Sequence, residues 1–83
     1  MDMDTNKKYK HSDRYIRLGL NIAYYRKLKG ITQMELAEKV NASRTHISNI
    51  EAPYMPVSVS LYKLFDIEDV LDVSVDRLFD FKV

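Results

Sequence analysis

The hydrophobic residues of the chain recur at helical spacing in five stretches, which are separated by residues that cap or break helices. The first stretch runs from Ser12, which we expect to be an N-cap, to Lys29, and Gly30 follows it as a typical C-terminal glycine. Two neighbouring apolar stripes run along this predicted helix, Leu18, Ile22 and Tyr25 on one and Leu20, Tyr24 and Leu28 on the other. The first stripe is expected in the core. The second is more often core than interface, although an apolar arc this wide also fits a helix that shares a face with a partner.

Two short helices follow and are joined by a tight turn. Thr32 and Glu35 fit a capping box at the start of the first of them. Asn41 lies in the turn, where a left-handed backbone is well tolerated by asparagine, and Ser43 is expected to cap the next helix. The inward positions of the pair are Leu36, Ala37, Val40, Ile47 and Ile50.

The rest of the chain predicts a loop and two more helices. Pro53 ends the third helix, and residues 52–59, which contain both prolines, form the loop. Ser60 then begins a fourth helix, with an apolar face made by Leu61, Leu64, Ile67 and Leu71. A last short helix opens at Ser74 and is expected to bury Val75, Leu78 and Phe79.

Composition supports one small helical domain and excludes several other classes. The 83 residues leave room for a single core, and 2 Gly and 2 Pro provide little material for hairpins. A chain that is 46% hydrophobic is too apolar to be disordered, yet no apolar run approaches the roughly 20 residues of a membrane span. The absence of cysteine excludes disulfides and thiolate metal sites. We therefore expect an all-α domain over residues 12–83, preceded by a flexible arm, residues 1–11, with a basic cluster of Lys7, Lys8 and Lys10.

The two helices around Asn41 have the pattern of a helix-turn-helix, whose second helix lies in the DNA major groove. The segment from Ile31 to Glu51, ITQMELAEKVNASRTHISNIE, resembles the phage-repressor/Cro-like (XRE) helix-turn-helix family, and the resemblance extends from about Leu18 to Phe79. It implies a compact five-helix bundle of the lambda-repressor-like DNA-binding type, with the helix-turn-helix at helices 2 and 3. The chain departs from the family in having Asn41 where glycine is usual, and in the long, proline-containing loop after Glu51.

The resemblance also implies roles for individual residues. Base contacts are expected from Arg44, Thr45 and Asn49, which agrees with the preference of Arg for guanine, of Asn for adenine and of the Thr methyl for thymine. Phosphate contacts are expected from Gln33, Ser43, His46 and Ser48. Arg26 and Glu51 match a family pair that we interpret as a structural ion pair.

These residues predict a sequence-specific regulator of transcription that binds double-stranded DNA. The resemblance implies a repressor that binds a palindromic operator as a homodimer. We expect residues 74–83 to be the dimer element. The resemblance further implies a cytoplasmic protein, encoded by a bacterium or a phage and associated with the nucleoid when bound. The alternative is a protein-interaction module of the same fold, antitoxin-like or adaptor-like, that uses Leu20, Tyr24 and the acidic fourth helix.

We expect no enzymatic activity and no metal, cofactor or membrane partner. Whether a small-molecule effector binds stays open. His46 lies near serines, but no acid is placed by the sequence to orient it. The two histidines are too far apart for metal-ligand spacing, and no Gly-rich loop could hold a nucleotide.

The net charge of +1 conceals a polarised chain. Residues 1–51 contain ten Lys and Arg against six Asp and Glu, or +4, whereas residues 52–83 contain three against six, or −3. The basic half holds the predicted helix-turn-helix, so the charge distribution predicts which end faces DNA.

Overall fold

The computed structural model describes residues 10–54 and 56–80, which form five helices and no strand. The helices are α1 Ser12–Lys29, α2 Gln33–Lys39, α3 Arg44–Glu51, α4 Leu61–Leu71 and α5 Val75–Leu78. The predicted all-α, five-helix architecture is confirmed. Most of the predicted arm, with Lys7 and Lys8, and the last three residues of the expected dimer element lie outside the described residues.

Helix α1 is the central element of the core, because its stripe of Leu18 and Ile22 packs among side chains from the other four helices. The remaining buried apolar side chains are Leu36, Ala37, Val40, Ile47, Ile50, Leu64, Ile67, Leu71 and Leu78. Tyr25, the third member of the predicted stripe, is partly buried against this cluster. The periodicity therefore identified most of the side chains that hold the bundle together.

Local hydrogen bonds define the starts of the three middle helices. The Thr32 hydroxyl accepts from the Glu35 amide and the Glu35 carboxylate accepts from the Thr32 amide, so the predicted capping box is formed. These bonds lower the pKa of Glu35, the backbone bond from Thr32 most, because they favour the charged carboxylate. The hydroxyls of Ser43 and Ser60 cap α3 and α4 by accepting from the amides three residues later.

The expected cap at Ser12 is wrong. Ser12 is the first residue of α1, and the N-cap position belongs to His11, whose side chain makes no capping hydrogen bond. The helix starts one residue earlier than predicted, so the Ser12 hydroxyl lies inside the first turn. Ser74 does occupy the N-cap position of α5, but it also makes no side-chain capping bond.

A residue with a left-handed backbone lies within two positions after the end of three helices. Gly30 follows α1 with φ +80°, Asn41 lies in the turn after α2 with φ +55°, and Asp72 ends α4 with φ +56°. Gly30 and Asn41 were predicted from residue type. Asp72 was not, because aspartate marks such a position much less clearly than glycine or asparagine does.

Several burial predictions are wrong, and they concern apolar residues that the fold leaves uncovered or only partly covers. Val75, expected to be buried in α5, is half-buried. Leu20, Tyr24 and Leu28 are 44, 59 and 68% exposed, so the second stripe of α1 is not core. Phe79, expected to be buried, is 41% exposed and is the C-cap residue after the single turn of α5. Leu61 is exposed as well, at the first position of α4.

The crossing of α1 over α3 depends on Gly19. A Cβ atom built on Gly19 would overlap the backbone carbonyl oxygen of Ile50 and lie 2.9 Å from its carbonyl carbon. Only a residue without a side chain allows the two helices to approach this closely. Gly19 thus determines how near the predicted recognition helix lies to the centre of the bundle.

Candidate nucleic-acid interface

Helix α3 is amphipathic, with Ile47 and Ile50 fully buried against the core and polar side chains on its other side. Of the predicted base-contacting residues, Arg44 and Thr45 are exposed in its first turn, and Asn49 is half-buried one turn later. This arrangement presents an arginine, a threonine and an asparagine from one rigid helix. Arginine and asparagine can make paired hydrogen bonds to base edges in a major groove.

The turn between α2 and α3 orients this helix. Ala37, which is 1% exposed, allows the two helices to pack closely. The backbone reverses through the left-handed Asn41, and the Ala42 amide donates to the Ala37 carbonyl at 2.8 Å. These features are those of the predicted helix-turn-helix, with Asn41 in place of the glycine usual in the family.

The remaining polar residues of α3 lie around its start and its middle. The Ser43 hydroxyl oxygen accepts from the His46 amide at 3.0 Å, which leaves the hydroxyl hydrogen available to donate to another group. His46 and Ser48 are half-buried. The bond from the His46 amide shows that Ser43 caps α3, a role separate from the phosphate contact predicted for it.

A buried ion pair joins α1 to the end of α3. Arg26 Nε donates to Glu51 Oε2 at 2.7 Å and Nη2 donates to Oε1 at 3.0 Å, while Nη1 donates to the Ile31 carbonyl at 2.7 Å. Arg26 is 7% exposed and Glu51 is 6% exposed. Because both groups are buried, each charge would be unstable there without the other as its partner.

Gln33, a predicted phosphate contact, is connected to this ion pair. Its Nε2 donates to Glu51 Oε1 at 3.0 Å, so one carboxylate links the start of α2, the end of α3 and the last turn of α1. The second N–H of the amide and its carbonyl oxygen are not used in this bond. In the part of the chain that is described, every buried side-chain nitrogen or oxygen has a hydrogen-bond partner. The sequence did not reveal this link, because residues 33 and 51 meet only through the tertiary fold.

Gln33 and Ser48 also line one open groove between α1 and α3, with a volume of about 490 Å³. Lys27 from α1 and Tyr54 from the following loop lie on the same groove, although neither was predicted to belong to the site. Arg44 and Thr45 are not among its lining residues. Gln33 and Ser48, two of the predicted phosphate contacts, therefore lie on the same groove. Arg44 and Thr45, the base-contacting positions at the start of α3, lie outside it.

The described residues offer neither a metal site nor a membrane span. Within residues 10–54 and 56–80, no three His, Asp or Glu side chains are grouped so that they could hold a metal ion. None of the helices in those ranges is long and apolar enough to cross a membrane.

Comparison with known proteins agrees with the geometry. A family model described as helix-turn-helix matches residues 22–78. The HTH-type transcriptional regulator SinR of Bacillus subtilis (strain 168) is 40% identical over 65 residues, and the SinR of Bacillus licheniformis is 38% identical over 65 residues. Each alignment covers 78% of this chain and 58% of the relative, so the chain spans about three fifths of the length of these proteins. No solved structure matches the chain at a significant level.

The match covers the helix-turn-helix, the buried Arg26–Glu51 pair and both rear helices, which together make up most of the described fold. The chain belongs to the XRE-type helix-turn-helix family of DNA-binding transcriptional regulators.

Proposed function

We propose that this protein regulates transcription by binding a specific sequence of double-stranded DNA through α3. The observation that carries the proposal is the exposed polar face of α3 above the buried Ile47 and Ile50, on the second helix of a helix-turn-helix. In this arrangement Arg44, Thr45 and Asn49 contact base edges in the major groove. We place the protein in the cytoplasm, on the nucleoid when it is bound.

Phosphate contacts on either side of α3 would fix its position in the groove. Ser43 and His46 lie at the start of the helix, and Gln33 and Ser48 line the groove beside α1. The bond from Gln33 to Glu51 holds the amide in one orientation before DNA arrives, which lowers the entropy lost on binding. Such contacts add affinity for any sequence and place the helix for reading a specific one.

The finer parts of the proposal are a repressor function, a homodimer and a palindromic operator. A two-fold dimer presents two copies of α3 to half-sites about 34 Å apart, one turn of DNA. Phe79, in the expected dimer element, is exposed and lines an apolar groove with Tyr15 and Leu61. None of the residues lining that groove comes from α2 or α3, so a partner bound there would leave the recognition helix free.

Replacing Arg44 or Asn49 with alanine is expected to weaken binding to the preferred DNA by about 1–3 kcal/mol and to relax base preference at one position. The reason is the loss of a paired hydrogen bond to one base. Fluorescence anisotropy with labelled duplexes at fixed salt measures the effect. Lys29→Ala, which removes an equal charge from an exposed position at the end of α1, outside the predicted contacts and the expected dimer element, is the control and should bind as the wild type does. If the Arg44→Ala and Asn49→Ala variants both bind DNA with wild-type affinity and wild-type base preference, α3 is not the helix that recognises the bases.

A second candidate is the protein-interaction module, and the exposed stripe of Leu20, Tyr24 and Leu28 favours it. The two functions differ in a simple binding experiment. Affinity for DNA that falls steeply with salt and depends on sequence supports the regulator. A stable heterocomplex formed by a protein without DNA affinity supports the module.

A further inference from the structure

Lys63, in the first turn of α4, reaches across the bundle to the turn of the helix-turn-helix. Its ammonium group donates hydrogen bonds to the backbone carbonyl oxygens of Val40 and Asn41, the second at 3.3 Å. The Lys63 side chain is half-buried, and its own backbone amide is held by the Ser60 cap at 3.1 Å. A single side chain thus links the start of α4 to the turn that orients α3.

The two carbonyls are groups that need an external donor. Val40 is the C-cap of α2, where helical carbonyls have no donor within their own helix. Asn41 follows with a left-handed backbone, which is costly for a residue other than glycine. A lysine ammonium that binds both oxygens favours the one turn geometry in which they point the same way.

We propose that Lys63 is a positioning residue for DNA recognition, which sets the angle between α2 and α3 by holding the carbonyls of Val40 and Asn41. The part of this inference that concerns DNA rests on the proposed function; the part that concerns the turn does not. Lys63 was not expected to have any role from the sequence, where it is one charged residue on a predicted amphipathic helix.

The DNA experiment compares Lys63→Met, Lys63→Arg and, as the control, Lys29→Met, which removes an equal charge from an exposed position at the end of α1. The probes are a duplex that the wild type enriches from a random pool and a shuffled duplex of the same composition. Lys63→Met is expected to bind the enriched duplex about tenfold more weakly, the effect of losing roughly one charge-assisted hydrogen bond. The affinity of Lys63→Met for the shuffled duplex, and the salt dependence of its DNA binding, should not change. Lys63→Arg, which keeps a cationic donor, should recover most of the loss, and Lys29→Met should lose nothing.

Other outcomes of this comparison overturn the proposal. A residue that only contacted phosphate would weaken binding to both duplexes and reduce the salt slope by about one. A positioning role would be excluded if Lys63→Met discriminated between the duplexes as the wild type does, if Lys29→Met lost as much affinity, or if Lys63→Arg recovered none of the loss.

Amide hydrogen exchange tests the turn without DNA, so it separates failure of this inference from failure of the proposed function. In Lys63→Met, the Ala42 amide, which is bonded to the Ala37 carbonyl, should exchange about tenfold faster. The Gly30 amide, bonded to the Lys27 carbonyl at the end of α1, is the internal control and should not change. Unchanged exchange at Ala42 would contradict the proposal. If Lys63→Met does not fold, Lys63→Gln replaces it in both experiments.

Discussion

Replacing Gly19 with alanine is expected to lower the free energy of unfolding by about 3 kcal/mol, at the upper end of what overpacking costs, or to prevent folding. The added methyl group would overlap the Ile50 carbonyl oxygen and crowd the carbonyl carbon at 2.9 Å. Both atoms are backbone, so relief requires α1 and α3 to move apart as whole helices. Urea denaturation followed by circular dichroism measures the change.

Gly30→Ala is the matched control for this substitution. No atom lies within 4 Å of a Cβ at Gly30, and the only expected cost is that of a left-handed alanine, about 1–2 kcal/mol. Gly19→Ala should therefore be clearly the less stable of the two, and any folded fraction should have weakened DNA binding because α3 is displaced. Equal stability of the two variants would show that the close crossing of α1 and α3 does not constrain the fold.

Truncating Glu51 to alanine is expected to cost about 3–5 kcal/mol of stability. The change leaves the Arg26 guanidinium, 7% exposed, with only the Ile31 carbonyl as a partner, and it removes the acceptor of the Gln33 amide. The cost comes mainly from a buried charge that has lost its counter-charge. Urea denaturation again measures the effect.

The control is a double-mutant cycle in which Arg26→Met is combined with Glu51→Leu. Because the double variant contains no unpaired buried charge, it should be more stable than the sum of the two single losses predicts, with a coupling of about 1–3 kcal/mol. Even so, its Gln33 amide would have lost its acceptor, so the double variant should bind DNA more weakly than its stability suggests. Strictly additive losses would show that the pair contributes little as a unit.

Local patterns in the sequence were sufficient to predict the helices and the polar face of α3. Periodicity indicated the stripe of Leu18 and Ile22, and the capping box at Thr32 and Glu35 located the start of α2. Each of these signals depends on residues within one or two helical turns of each other. For the same reason, the buried positions Ile47 and Ile50 determined which face of α3 is polar and not covered by the core.

Contacts between distant segments could not be predicted in this way. Periodicity shows that Leu20, Tyr24 and Leu28 share a face, but not whether another helix covers that face, and none does among the described residues. The same limit applies to the bond from Gln33 to Glu51 and to the bonds from Lys63 to the turn, which join residues 18 to 23 positions apart. These polar contacts depend on side-chain directions that only the folded structure defines.

Selecting bound sites from a random pool of double-stranded DNA, with the wild type and an Arg44→Ala, Asn49→Ala double variant in parallel, tests the central claim most directly. The account predicts that the wild type enriches one sequence, arranged as an inverted repeat with half-site centres about one helical turn, 34 Å, apart. The double variant should lose base preference at the positions that these two side chains read. Enrichment of no sequence by the wild type, or of the same sequence to the same degree by the double variant, would contradict recognition of DNA through α3.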